Sequence, residues 1–263
     1  METKASRDSE FYVGYLEPAP FGLRRFRRRV VSILAVAVVA VAITLAASQQ
    51  PFAPGVFEFL NYRTLEGVID ETPYPSLLVE RPGAAGAGYS RYFLVGEGKL
   101  GAGSEVAGLN GKRVTAEGTL IYLNGQTLFE IKPGSIGAVA RTGRLQEPAA
   151  ELLGEVTLEG EIVDSKCYLG VMNPGRGKAH KACAIRCISG GVLPALLVTD
   201  ASGNSIAIIL AGADGKAAGQ AILGLVGEPV RVTGRLENSA DTLVLYAEPT
   251  GIERSGGPLG DAR

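Results

Sequence analysis

The chain has 263 residues, of which 46% are hydrophobic and 36 are glycine, with no tryptophan; this composition excludes a disordered chain and favours short strands and turns. Residues 1–29 carry seven basic and four acidic side chains, whereas residues 30–263 carry 19 basic and 23 acidic ones. An acidic body with only 6% aromatic residues lacks the positive charge and stacking surfaces that nucleic-acid binding needs, so we expect no nucleic-acid partner.

An apolar segment near the N-terminus predicts a membrane anchor. Residues 30–47 (VVSILAVAVVAVAITLAA) contain no charged side chain and reach the minimum length of a transmembrane helix. Five arginines lie within residues 24–29, and such a basic flank stays in the cytoplasm. We therefore predict a basic cytoplasmic leader (residues 1–29), a single pass through a bacterial inner (cytoplasmic) membrane, and periplasmic, extracytoplasmic C-terminal domains. The alternative is a cleaved signal peptide, because Ala46-Ala47-Ser48 offers small residues for a peptidase.

The part of the chain after this segment contains one sequence unit twice. Residues 64–67 (TLEG), 75–79 (PSLLV) and 109–120 recur in the same order as residues 157–160 (TLEG), 194–198 (PALLV) and 225–236. Alternation of apolar and polar residues between turn residues predicts five strands in each copy. The strands lie near residues 62–70, 75–81, 89–96, 112–123 and 126–132, and near residues 155–164, 194–200, 204–211, 228–237 and 241–249.

Five strands with a helix or loop between the third and fourth have the order of an OB-type barrel, and residues 213–226 can supply a short helix in the second copy. We therefore predict a mainly β protein in which the transmembrane helix is followed by two tandem OB-like five-stranded β-barrels. A pair of other small β-sandwiches is the alternative. The boundaries are a linker at 48–55, the first repeat at 56–142, a linker at 143–154, the second repeat at 155–253 with a Cys/His-bearing helical insertion at 165–192, and a tail at 254–263.

This insertion distinguishes the second copy from the first. Gly67 and Pro75 are 8 residues apart, whereas the equivalent Gly160 and Pro194 are 34 apart. A connection of that length is unusual for a plain hairpin loop. All three cysteines and the only histidine lie in the extra segment. We therefore place the functional site there.

The spacing of these residues predicts a metal site. Residues 179–188 have the composition of a helix of two to three turns. At about 100° per residue, His180, Cys183 and Cys187 project from one face of that helix, within about 60° of one another. Cys167 ends the preceding strand and can complete a Cys₃His set, which holds a tetrahedral thiophilic ion. We predict that these four residues bind zinc or copper.

A structural disulfide is the main alternative, because cysteines of exported proteins commonly pair. Cys183 and Cys187 are four residues apart on one helix, which is poor disulfide geometry, so Cys167 would bridge to one of them. The bridge would close a loop of about 16–20 residues and stabilise it by roughly 3 kcal/mol. It would leave one thiol over, and an odd thiol beside a histidine favours a metal, an intermolecular bridge or a reactive cysteine.

The insertion is basic within an acidic body. Residues 161–191 contain five basic side chains against Glu161 and Asp164. Positive charge of this kind lowers the pKa of nearby thiols and can also dock an acidic partner. We predict a basic rim formed by Lys166, Arg176, Lys178, Lys181 and Arg186. Asp164 is a candidate hydrogen-bond partner that orients His180.

The pattern D-x-K-C followed by G-K-x-H-x-x-C-A-x-x-C-x-x-G-G, between Asp164 and Gly191, resembles a motif of uncharacterised exported or membrane-anchored bacterial proteins. The resemblance implies an envelope location and implies no reaction, because that group has no assigned activity. The Cys-x₃-Cys pair with a distant histidine also resembles the ligand set of exported copper carriers of the Sco type. In those carriers the fold is thioredoxin-like and the histidine follows the cysteines, whereas His180 precedes them.

Together these patterns predict a membrane-anchored, extracytoplasmic metal-binding accessory protein or small subunit of an envelope redox or metal-handling system. Its partners would be the inner membrane and an envelope membrane protein or redox protein, and the first barrel would serve as a spacer and docking surface. The alternatives are a non-catalytic interaction module with a disulfide-stapled loop and a thiol-based redox protein. We expect no enzyme activity, because no substrate-pocket signal accompanies a thiol nucleophile beside His180.

Overall fold

The computed structural model describes residues 21–49, 55–81, 88–139, 150–240 and 242–256. The chain divides into two compact units, Met1–Phe52 and Ala53–Arg263. The first unit contains the helix α1 (Phe21–Ser48). Among the described residues this is the one helix that is long and apolar enough to cross a membrane; membrane anchors and signal sequences both have such a length and composition. Residues 1–20, which form most of the predicted leader, lie outside the described residues.

The second unit begins with a closed five-stranded barrel. Its elements are β1 (Val56–Phe57), β2 (Arg63–Asp70), β3 (Ser76–Glu80), β4 (Tyr89–Val95), α2 (Gly103–Val106), β5 (Arg113–Leu123), β6 (Gln126–Ile131) and β7 (Gly137–Ala138). The barrel closes in the order β2-β3-β4-β6-β5-β2, with β4 and β6 parallel and the other neighbours antiparallel. Asn124 and Gly125 join β5 to β6 with φ values of 50° and 81°, as a two-residue hairpin turn of this type requires.

A second barrel repeats this topology. Its elements are β8 (Glu151–Asp164), a wide turn (Cys167–Val171), α3 (Lys181–Ser189), β9 (Pro194–Thr199), β10 (Ser205–Gly212), a 3₁₀ helix (Gln220–Leu225), β11 (Pro229–Ser239), β12 (Thr242–Ala247), a 3₁₀ turn (Pro249–Gly251) and β13 (Ile252–Arg254). The order β8-β9-β10-β12-β11-β8 closes it, with β10 and β12 parallel. The predicted fold class, two tandem OB-like five-stranded barrels, is confirmed.

The start of β8 differs from the prediction. Its first residue is Glu151, whereas the sequence pattern placed residues up to 154 in a linker. Gly154 has a φ of 117°, and the register between β8 and β11 shifts beside it, so Leu152 pairs with Glu237 beyond a β-bulge. Because of this bulge, β8 continues through Gly154, although a glycine at this position looks in sequence like the end of a strand.

The two barrels share an apolar core. Each barrel has a buried cluster of its own, and a third cluster draws on both, for example on Ile121 and Leu128 of the first barrel and Leu197 and Ile209 of the second. Burial of apolar area is the main favourable term in such packing. The same shared cluster includes Cys167 and Cys187, so the insertion lies at the junction of the barrels.

Buried polar contacts fix the position of one barrel on the other. The hydroxyl of Tyr74 donates to Leu210 O at 2.8 Å and accepts from Ala218 N at 2.9 Å. Burial raises the pKa of Tyr74 well above its ordinary range, so the hydroxyl stays protonated and donates. Lys166, only 2% exposed, donates to Gly96 O at 2.7 Å and Gly98 O at 2.8 Å.

The barrels also approach each other closely through their backbones. The loop of residues 96–101, between β4 and α2, lies against the end of α3, where Gly101 N donates to Gly190 O at 2.9 Å. A Cβ atom on Gly101 would lie 2.1 Å from the carbonyl oxygen of Gly191, and a Cβ atom on Gly190 would lie 2.1 Å from that of Lys99. Only glycine fits these positions without moving the backbone.

We expect Gly101→Ala to destabilise the second unit by about 1–3 kcal/mol, because the added methyl group forces the two backbones apart. Thermal unfolding of the full chain in detergent, followed by circular dichroism, measures the effect. Gly103→Ala is the matched control: an added Cβ there meets nothing within 4 Å, and alanine favours the helix that Gly103 begins. Equal melting temperatures for the two variants would contradict the close approach.

Candidate metal centre

The end of β8 and the wide turn after it place the first cysteine. Asp164, the last residue of β8, accepts a hydrogen bond from Cys167 N on its Oδ1 atom at 2.8 Å. Met172 N donates to Cys167 O at 3.1 Å and closes the turn. The chain then reaches α3, which begins one residue after His180 and carries Cys183 and Cys187.

The predicted ligands come together in two overlapping sets. One ligand atom each from Cys167, His180 and Cys183 lie within 4.8 Å of one another, as do those of Asp164, Cys167 and Cys187. Cys167 belongs to both sets. The four residues predicted as ligands are therefore close enough to hold a metal ion, and Asp164 adds a carboxylate to the same cluster.

His180 and Asp164 form a buried pair. The Nε2 atom of His180 lies 2.9 Å from Asp164 Oδ2, and the two side chains are 4% and 0% exposed. When Nε2–H donates to the carboxylate, the lone pair of the imidazole is on Nδ1, where a metal ion can bind. A carboxylate that orients a histidine ligand in this way is common in metal sites.

Burial differs among the three cysteines, which are free thiols. Cys167 and Cys187 are 5% and 1% exposed, whereas Cys183 is half-buried. A thiol that is buried without a partner is difficult to ionise, whereas a bound cation stabilises the thiolate. The cluster therefore has an inner side, formed by Cys167 and Cys187, and a side that reaches solvent at Cys183.

A hydrogen bond joins the two inner thiols. The Cys167 thiol donates a hydrogen bond to Cys187, which lowers the pKa of Cys187 to about 7. The same hydrogen bond, together with burial and the nearby Asp164 carboxylate, raises the pKa of Cys167 far above that of an ordinary thiol. The first proton of the pair is therefore lost easily, and the second is lost with difficulty unless a cation replaces it.

A residue from the first barrel joins the cluster. Lys99, in the loop between β4 and α2, donates from Nζ to Cys183 Sγ at 2.7 Å. This hydrogen bond to Cys183 raises the pKa of the Lys99 ammonium. Lys99 carries no signal in the sequence, because no local pattern places this loop beside the insertion. The first barrel, predicted to serve as a spacer and docking surface, therefore also brings a cation to the cluster.

The structure contradicts one member of the predicted basic rim. Lys166 is wrong as a rim residue, because its side chain is buried between the barrels and pairs there with Glu130. Lys181 is partly buried and donates to Glu228 Oε1 at 2.5 Å. The remaining three side chains are exposed: Arg176, Lys178 and Arg186.

No protein-family model matches the chain, and no curated protein matches it significantly. The resemblance of the cysteine motif to exported bacterial proteins therefore stays a prediction.

We expect the reduced, metal-free protein to form its first thiolate at about pH 7. Thiolate absorbance in the ultraviolet should rise as the pH increases through this value, because Cys187 loses its proton there while Cys167 keeps its own. Cys187→Ser should remove this step, whereas Cys183→Ser, a matched change one turn earlier in α3, should keep it. A first thiolate that forms only near the ordinary cysteine pKa of about 8.5 would contradict the inner hydrogen bond.

Proposed function

We propose that the protein is a membrane-anchored, extracytoplasmic metal-binding protein that serves as an accessory protein or small subunit of an envelope redox or metal-handling system. The observation that carries the proposal is the convergence of three thiols and one imidazole, held by a carboxylate, at the junction of two barrels. The ligands would be Cys167, His180, Cys183 and Cys187, with Asp164 orienting the histidine.

The ligand chemistry selects a thiophilic ion. Three thiolates and an imidazole suit zinc or copper, whereas calcium and magnesium prefer oxygen ligands. A set of four protein ligands around zinc is typical of structural sites, which keep no open position for a substrate. The partial exposure of Cys183 supports a site that can also exchange its ion, as a metal-handling role requires.

The N-terminal helix supports the proposed location. Its apolar part follows the arginines of residues 24–29, and cationic flanks remain in the cytoplasm. Under the proposal, α1 anchors the protein in the inner membrane with the barrels outside the cytoplasm. The exposed basic side chains of the insertion would face an acidic surface of the partner.

Thiol-disulfide exchange is the second candidate function, and the inner pair favours it. Cys167 and Cys187 are hydrogen-bonded, and the pKa of Cys187 is about 7, which supplies a thiolate at neutral pH. A thiolate with such a pKa attacks disulfides well. In this function the pair would become a disulfide as it reduces a partner's disulfide to two thiols.

Mass spectrometry of the full chain, exported to an oxidising compartment and purified in detergent without chelator, tests the two candidates together. We expect one metal ion per chain under native conditions and three free thiols after denaturation. Elemental analysis then distinguishes zinc from copper. A chain without an ion and lighter by two hydrogens would overturn the metal site and show one disulfide plus one spare thiol, which both a structural disulfide and thiol-disulfide exchange require.

Variants identify the ligands. We expect Cys167→Ser, Cys183→Ser, Cys187→Ser and His180→Ala each to abolish stoichiometric metal. Asp164→Asn should weaken binding by about 10- to 100-fold, as loss of a partner that orients a ligand does. Asp70→Asn is the matched control, because Asp70 ends β2 as Asp164 ends β8, and it pairs with Arg91 at 2.5 Å. Full metal binding by His180→Ala would exclude the four-ligand site.

A further inference from the structure

The loop of residues 96–101, which belongs to the first barrel, is fixed on the Cys/His insertion of the second. Gly96 O and Gly98 O accept from the buried Lys166 ammonium, and Gly101 N donates to Gly190 O. These contacts hold the backbone on both sides of Lys99. The position of Lys99 relative to α3 is therefore set by the docking of the barrels.

The side chain of Lys99 extends from this fixed backbone to the cysteine cluster. Its Nζ atom lies 2.7 Å from Cys183 Sγ, while the residue as a whole is exposed. An exposed lysine does not contribute to the core, so packing does not explain its place. Cys183 is also the least buried of the three cysteines, so the ammonium is located where the cluster meets solvent.

We propose that Lys99 is a positioning residue of the metal site: it holds the Cys183 thiolate by a hydrogen bond and offsets the negative charge of the ligand set. This inference rests on the proposed function. If it is correct, residues of both barrels form the metal site, although all four ligands come from the second barrel.

Charge explains why the site needs such a residue. Three thiolates, a neutral imidazole and Zn²⁺ sum to one negative charge, and with Cu⁺ the sum is two negative charges. Excess charge at a partly buried site is unfavourable unless a partner offsets it. The ammonium of Lys99 supplies one positive charge at the thiolate itself, and hydrogen bonds to charged groups are stronger than those between neutral groups.

The location of Lys99 also affects release of the ion. A competing chelator attacks a closed site through its most accessible ligand, which here is Cys183. A hydrogen bond that holds this thiolate in place slows its departure from the metal. Lys99 therefore slows metal release as well as strengthening binding.

Lys99→Met tests the inference in the full chain in detergent. We expect this variant to pass its zinc to a chromophoric chelator at least about tenfold faster than the wild type. In the cobalt-substituted protein, the thiolate-to-cobalt charge-transfer band should move to longer wavelength, because the thiolate loses a nearby positive charge. Lys99→Arg keeps a cationic donor and should restore both the release rate and the band.

Lys132→Met is the matched control. Lys132 is an exposed lysine of the same barrel and pairs with Glu117 at 2.9 Å instead of with a cysteine. Lys132→Met should leave both the zinc release rate and the cobalt band unchanged. The melting temperatures of all variants should match that of the wild type. The cobalt band reports on the thiolates themselves, so a merely structural role of Lys99 would not move it.

The outcomes separate this inference from the proposed function. A wild-type chain that binds no ion overturns both. A wild-type chain that binds one ion, together with a Lys99→Met variant of unchanged release rate and cobalt band, overturns the role of Lys99 and leaves the metal site intact. Faster release with an unshifted band also overturns it, because the effect would then not act through the thiolate.

Discussion

The ammonium group of Lys166 lies between the two barrels with three acceptors for its three N–H donors: Gly96 O, Gly98 O and the Glu130 carboxylate. A buried charge that loses a partner costs about 3–5 kcal/mol, so the loop of the first barrel has to stay where its carbonyl oxygens accept from the Lys166 ammonium. Because Lys166 immediately precedes Cys167, the same constraint fixes the start of the Cys/His insertion. The geometry of the cluster therefore depends on how the barrels dock.

The two barrels use the same position of the same topology for different purposes. Asp70 ends the first strand of one barrel, accepts from Thr72 N at 3.1 Å and pairs with Arg91. Asp164 ends the equivalent strand of the other, and there it accepts from Cys167 N and from the His180 ring. A short turn follows the first aspartate, whereas the insertion follows the second. An aspartate that organises a turn in one copy thus orients a candidate ligand in the other.

Local patterns were sufficient to predict most of the fold and the candidate ligands. Period-2 alternation and turn residues placed the strand ends within a few residues, and the helical spacing of His180, Cys183 and Cys187 predicted a Cys/His cluster at α3 and the residue before it. The errors concern contacts between distant parts of the chain. Lys166 resembles a surface lysine in sequence, and Lys99 lies in a glycine-rich loop with no motif. Their roles follow only from the docking of one barrel on the other.

The order of synthesis also bears on how the loop of residues 96–101 and the insertion come together. The first barrel has its own buried core, which includes Ile69, Leu77 and Phe129, and its last strand ends at residue 138, before the first cysteine. Domains made first generally fold first. If the first barrel folds in this order, the loop that contacts the insertion is in place before Cys167 is added to the chain, and the cysteine-bearing segment then folds against it.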